Sequence, residues 1–142
     1  MDGCLKILNR PVTSLVSGHG ESRLSRAKIT KEEIVEGETT FLATYLETEN
    51  ASIIMMSEVA DRLGTLAVAI PQQQKLVGPP LSSILLGDRN TMVARVLAEL
   101  LAQQTKKIGL ASVFIKSISE QEAAPILRKL LEKTLKKEPE EK

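Results

Sequence analysis

The chain has 142 residues, 42% of them hydrophobic and 26% charged, with 19 basic and 18 acidic side chains for a net charge of +1. That length fits one domain, which at this size buries roughly two-thirds of its unfolded surface and needs no disulfide or metal to hold a core. The balanced charge excludes a strong field for nucleic acid or an anionic membrane, and two Phe, one Tyr and no Trp leave few platforms for stacking bases.

The first residues, Met1-Asp2-Gly3-Cys4, carry no long apolar run of the secretory kind. No stretch approaches the ~20 apolar residues of a membrane span. Cys4 is the single cysteine and cannot close an internal disulfide, so a reducing compartment, the cytoplasm, is expected. Val12–Val16 is read as a short strand after Pro11, and Gly and Ser in residues 17–26 predict a flexible loop. Residues 1–38 are thus expected to be a weakly ordered extension or edge strands, 27–138 a single α+β domain, and 139–142 a frayed tail.

Thr30-Lys31-Glu32-Glu33 has the spacing of a helix capping box, but Gly37 follows closely, and a strand near Ile34–Val35 is the favoured reading. Thr39–Thr48 and Ala51–Ser57, rich in β-branched and apolar residues and separated by Glu49-Asn50, predict a hairpin. Glu58–Leu63 is turn-like. Gly64–Ile70 is a strand with apolar residues at consecutive positions, which predicts burial on both faces, and Pro71 ends it. After the loop Gln72–Pro80, Leu81–Leu86 is a further strand closed by Gly87-Asp88.

Asp88 or Asn90 is expected to cap a helix that runs to about Gln104. Met92, Val93, Val96, Leu97, Leu100 and Leu101 form its predicted apolar stripe. Ile108–Ile118 is the next strand. Ser119 and Glu122 then set a capping box for a last helix, which has Pro125 near its start and Ile126, Leu127, Leu130, Leu131 and Leu135 on its stripe. The lysines of 129–137, interrupted by Glu132, read as a solvated helix face. The fold class is therefore α+β: an antiparallel sheet or sandwich of about six strands in the order β-β-β-β-α-β-α, with two helices from the C-terminal half covering one side.

Little in the sequence points to catalysis. His19 lies between two glycines of the loop predicted to be flexible, which gives no fixed position for a base. Cys4 has no visible partner base. One cysteine and one histidine exclude a Cys/His metal site, and there is no Walker loop. Gly87-Asp88-Arg89-Asn90 ahead of a helix reads better as a cap than as an anion site, because Asp88 repels phosphate. No cofactor is expected, and a non-catalytic binding module is.

Two stretches carry a resemblance: Arg62-Leu63-Gly64-Thr65-Leu66-Ala67-Val68-Ala69-Ile70-Pro71 and Ser82-Ser83-Ile84-Leu85-Leu86-Gly87-Asp88, the second followed by helix, strand and helix. Together, over about residues 39–138, they resemble the third and fourth proteasome assembly chaperones. The resemblance rests on Gly64, Leu66, Leu85, Leu86, Gly87 and Asp88, read as mostly structural. It implies a small dimeric domain, pairing with itself or a related chain, that binds proteasome α-subunits to assist assembly of the 20S α-ring. No catalysis, cofactor, nucleic acid or membrane is implied. The end of the chain, Glu140-Glu141-Lys142, lacks the hydrophobic-Tyr-X motif through which a different group of assembly chaperones docks. Candidate partner contacts are the turn Glu58–Leu63, with Arg62, and the loop Gln72–Pro80, with Gln72, Gln73, Gln74 and Lys75. The alternatives are another small dimeric scaffold, roadblock- or profilin-like, or an enzyme with an unrecognised site.

Overall fold

The structure, a computed structural model, describes residues 24, 26–72 and 81–137. The expected strand at 12–16, most of the loop at 17–26, His19, Cys4 and the tail 139–142 lie outside them. Six strands and two helices follow in the order β1 (Lys28–Glu36), β2 (Thr39–Glu47), β3 (Ala51–Glu58), β4 (Thr65–Ile70), β5 (Leu81–Leu86), α1 (Thr91–Thr105), β6 (Ile108–Phe114) and α2 (Glu120–Lys136). The α+β class and the element order match the sequence reading.

The strands form one sheet in the order β1-β2-β3-β6-β4-β5. It is mixed, not purely antiparallel: β1, β2 and β3 are a meander, β4 and β5 a hairpin, and β6 runs parallel to β3 and antiparallel to β4. Short early connections do predict antiparallel neighbours. The exception arises because β6 returns through α1 and enters the slot between β3 and β4, a pairing no local turn signals. Thr30–Glu33 belongs to β1, a nine-residue strand, and not to a helix start. The pattern at Ile108–Ile118 overran: β6 ends at Phe114, and residues 115–119 lead into α2.

Both helices lie on one side of the sheet, α1 over β4, β5 and β6 and α2 over β1 and β2. The seat of α1 is made of small residues. Its Ala94, Ala98 and Ala102 are fully buried, as are Ala67, Ala69 and Ala111 beneath. At Gly109 an added Cβ would stand 2.7 Å from the Ala98 carbonyl oxygen, so the helix backbone comes down onto β6. This rotates the buried stripe from the expected one. Val93, Leu97 and Leu101 are buried, Leu100 is half-buried, and Met92 and Val96 are 68% and 44% exposed. Under α2 the core is filled by larger side chains: Phe41, Tyr45, Leu127, Leu130 and Leu131.

The helix starts are tied together. Asn90 is the N-cap of α1, but with φ 58° its side chain makes no cap bond and its Nδ2 donates to the Ile115 carbonyl at 3.0 Å. Glu120, the first residue of α2, instead accepts from the Val93 N–H of α1 at 2.7 Å. The capping box of α2 forms as expected: Ser119 Oγ accepts from the Glu122 N–H at 3.1 Å, and Glu122 accepts from the Ser119 N–H at 3.2 Å. Pro125, expected near the first turn, falls at the sixth residue of α2, just past that turn.

The lysines of α2 and Lys137 at its C-cap do not simply face solvent. Lys129 reaches Glu36 at 3.5 Å, Lys133 and Lys137 reach Glu32 at 3.9 and 4.0 Å, and the ammonium groups of Lys133 and Lys137 also donate to the Glu33 and Lys31 carbonyls of β1. These exposed pairs contribute little stability each. They charge the outer edge strand and so discourage it from pairing with another chain.

Three outcomes follow. Leu127→Ala, which empties a fully buried site, is expected to lower the urea unfolding free energy by about 2–5 kcal/mol. Ser119→Ala should cost about 1 kcal/mol in the same assay through loss of the cap. Burial pushes the Tyr45 phenol above its ordinary range, more than the 3.3 Å hydrogen bond to Ser52 lowers it. The folded state therefore prefers the neutral phenol, and stability should fall as pH rises through the ordinary phenol range. Tyr45→Phe should remove that component of the alkaline slope.

Candidate protein-binding site

Among the described residues the helices cover one face of the sheet and leave the other bare. Strand register places Ile29, Leu46, Ile53, Leu110 and Val68 in a row across β1, β2, β3, β6 and β4 on that bare face. The next row holds Met55, Leu66 and Leu86, with Thr44 and Ser112 among them. Ile70 and Leu81 pair at one corner, 57% and 77% exposed, and Phe114 lies two residues beyond Ser112 along β6. Alternation alone would put polar residues here, as in a one-sided antiparallel sheet facing water. β4 was expected to be buried on both faces. Within this chain it is buried on one, by Thr65, Ala67 and Ala69, while Leu66 and Val68 are half-buried and Ile70 exposed. The apolar residues on its other side therefore form part of an uncovered surface.

The residues that carried the resemblance converge at one end of this sheet, where β4 begins and β5 ends. Gly64 lies against β6: its N–H donates to Ser112 Oγ at 2.8 Å, and an added Cβ would stand 2.1 Å from the Val113 carbonyl oxygen. Gly87, at φ 94°, lies against Thr65, whose Oγ1 would be 2.5 Å from an added Cβ. Leu66 pairs with Leu86 on the bare face. Leu85 falls where the β4–β5 register shifts and is exposed, as is Asp88.

Of the candidate contacts, Arg62 is exposed at this same end, with its guanidinium 5.3 Å from the centroid of the Phe114 ring. Gln72 is half-buried after β4. Gln73, Gln74 and Lys75 lie outside the described residues. Val59, 76% exposed, belongs to this surface and lies within the candidate turn Glu58–Leu63, whereas Lys116, 5.7 Å from the same ring centroid, belongs to it and was not singled out from sequence. Only the pairing of β6 with β3 and β4 brings residues 114–117 beside the 58–63 turn. Val59 carried a faint signal, an apolar residue inside a polar turn.

Among the described residues no group of three or more His, Cys, Asp or Glu side chains could hold a metal. The most buried carboxylate, Glu58, accepts from the N–H groups of Lys116 at 3.0 Å and Ser117 at 3.1 Å and from the Ser117 hydroxyl at 2.6 Å. Its oxygens hold a loop in place and are not free for acid–base work. No described helix is long and apolar enough to cross a membrane. What this arrangement can do is bind another protein, through an apolar face bordered by polar turns.

No family model matches the chain, and no curated protein matches it. A search of solved structures finds a chain in a crystal structure described as a novel chaperone complex for yeast 20S proteasome assembly. It is 16% identical, with a TM-score of 0.57, over 78% of this chain and 93% of that one. The chain therefore shares its fold with a component of a proteasome assembly chaperone complex.

Proposed function

We propose that the chain is a non-catalytic proteasome assembly chaperone, which dimerises with a second copy or a related chain and binds proteasome α-subunits while the 20S α-ring forms in the cytoplasm. The observation that carries this reading is the uncovered apolar sheet face on a fold shared with a chain of a 20S assembly chaperone complex. The matched sequence stretches support it as well.

The bare face is the natural dimer contact. A sheet whose open side is apolar, as here, calls for a second layer on that side. Two such faces stack about 10 Å apart with their side chains interdigitated. The row from Ile29 to Val68 offers aliphatic side chains without a charged group, and Lys31 and Glu33 of β1 lie at its margin. The dimer so formed has its helices outermost, and the turns at the sheet ends stay free for α-subunits. The alternative, a different small dimeric scaffold, shares the sheet contact and differs in its partner.

In sedimentation, the chain should run as a dimer of twice 15.5 kDa. Leu110→Glu, which points to the bare face and can be solvated in a monomer, should run as a folded monomer. In a pull-down with purified α-subunits read by mass spectrometry, the chain should retain α-subunits without the mature protease. A dimeric chain that retains none refutes the chaperone reading and leaves the scaffold one. A monomeric wild-type chain refutes the sheet contact.

A further inference from the structure

The turn after β3 is strained and held rigidly. The Ala60 N–H donates to the Glu58 carbonyl at 2.7 Å, and Val59 between them has φ 71°. Such three-residue turns with positive φ are rare, and a β-branched residue is among the least suited to that backbone. Exposure of Val59 means that burial of its own side chain does not offset the strain. The surroundings impose it. The hydroxyl of fully buried Ser57 donates to the Ala60 carbonyl at 2.7 Å and accepts from the Arg62 N–H at 3.3 Å, and the Val59 N–H donates to the Thr40 carbonyl at 3.0 Å. Glu58 fixes the neighbouring 115–118 loop through the bonds given above.

Two fixed loops therefore hold Arg62 and Lys116 on one half-buried ring, Phe114, in a shallow cleft of about 320 Å³ that Val59 and Ser117 also line. Both cations are exposed, and neither makes an ion pair with a described residue. Glu58 also lines the cleft, with its oxygens bonded to the 116–117 backbone, and Asp61 accepts from Thr44 Oγ1 at 3.5 Å; neither carboxylate forms an ion pair with Arg62 or Lys116, whose N–H donors are left for a partner.

We propose that this tip docks an acidic segment of a partner protein, with carboxylates on Arg62 and Lys116 and an apolar neighbour on Val59. The proposal rests on the protein-binding reading and adds the chemistry of the partner. The Phe114 ring holds the Arg62 guanidinium by a cation–π contact, and a guanidinium offers a carboxylate two parallel N–H donors. Rigid loops lose little freedom on binding. Strain imposed by the surroundings on an exposed residue is characteristic of functional sites. Arginine is among the residue types that dominate protein contacts.

The test is an NMR titration of the ¹⁵N-labelled full chain with the peptide acetyl-Leu-Glu-Glu-Leu-amide and its Gln-Gln counterpart. The Glu peptide should shift amides of 57–63 and 114–117, more weakly at high salt, and the Gln peptide should not. Arg62→Glu combined with Lys116→Glu should weaken Glu-peptide binding by about tenfold or more, a loss of about 1.4 kcal/mol, with an unchanged sedimentation profile. No shift up to millimolar peptide, equal shifts with the Gln peptide, or shifts centred elsewhere overturn the proposal. So does a change of oligomeric state in the double variant, which would assign the tip to the subunit contact. Loss of α-subunit binding by the wild-type chain bears on the chaperone reading alone.

Discussion

The close seating of α1 on β4 and β6 is the constraint on which the rest of the molecule depends. Ala94, Ala98 and Ala102 meet Ala67, Ala69 and Ala111, and the missing side chain of Gly109 lets the helix backbone touch the strand. Interiors tolerate neither voids nor overlap, so this small-residue contact fixes the depth and rotation of the helix together. It turns Met92 and Val96 outward, although both fall within the apolar periodicity of the helix. It also places β6, which follows directly from α1, in the centre of the sheet.

That central place for β6 organises both candidate contact surfaces. Paired with β3 on one side and β4 on the other, β6 joins a three-stranded meander to a hairpin. Its alternate residues Leu110 and Phe114 then continue the apolar rows of the neighbouring strands across the bare face. Its end delivers Phe114, Lys116 and Ser117 to the turn that follows β3. One insertion thus produces an apolar face and, beside it, a tip held by hydrogen bonds.

The two sheet edges differ in how they meet solvent. β1 is lined by Lys and Glu and clamped by the lysines of α2. β5 carries no charged residue and exposes Leu81, Leu85 and Leu86. Charge on an edge opposes pairing with another chain, so the β1 edge is the less suited of the two to such pairing. The apolar surface collects instead on the bare face and toward β5.

Much of this architecture was legible in the sequence. Alternation and β-branched residues marked β2 and β3, Pro71 and Gly87 marked the ends of β4 and β5, and the Ser119–Glu122 spacing marked the start of α2, because these signals act between residues close in the chain. The apolar residues on both sides of β4 were legible too, but not what lies beyond them. Tertiary structure alone decided the parallel β3–β6 pair, the rotation of α1, the use of Asn90 on Ile115 instead of as a cap, and the meeting of Arg62 and Lys116 on Phe114. Each depends on groups far apart in sequence, whose contact is set by how alanine and glycine let a helix approach a sheet, and no local propensity encodes that distance.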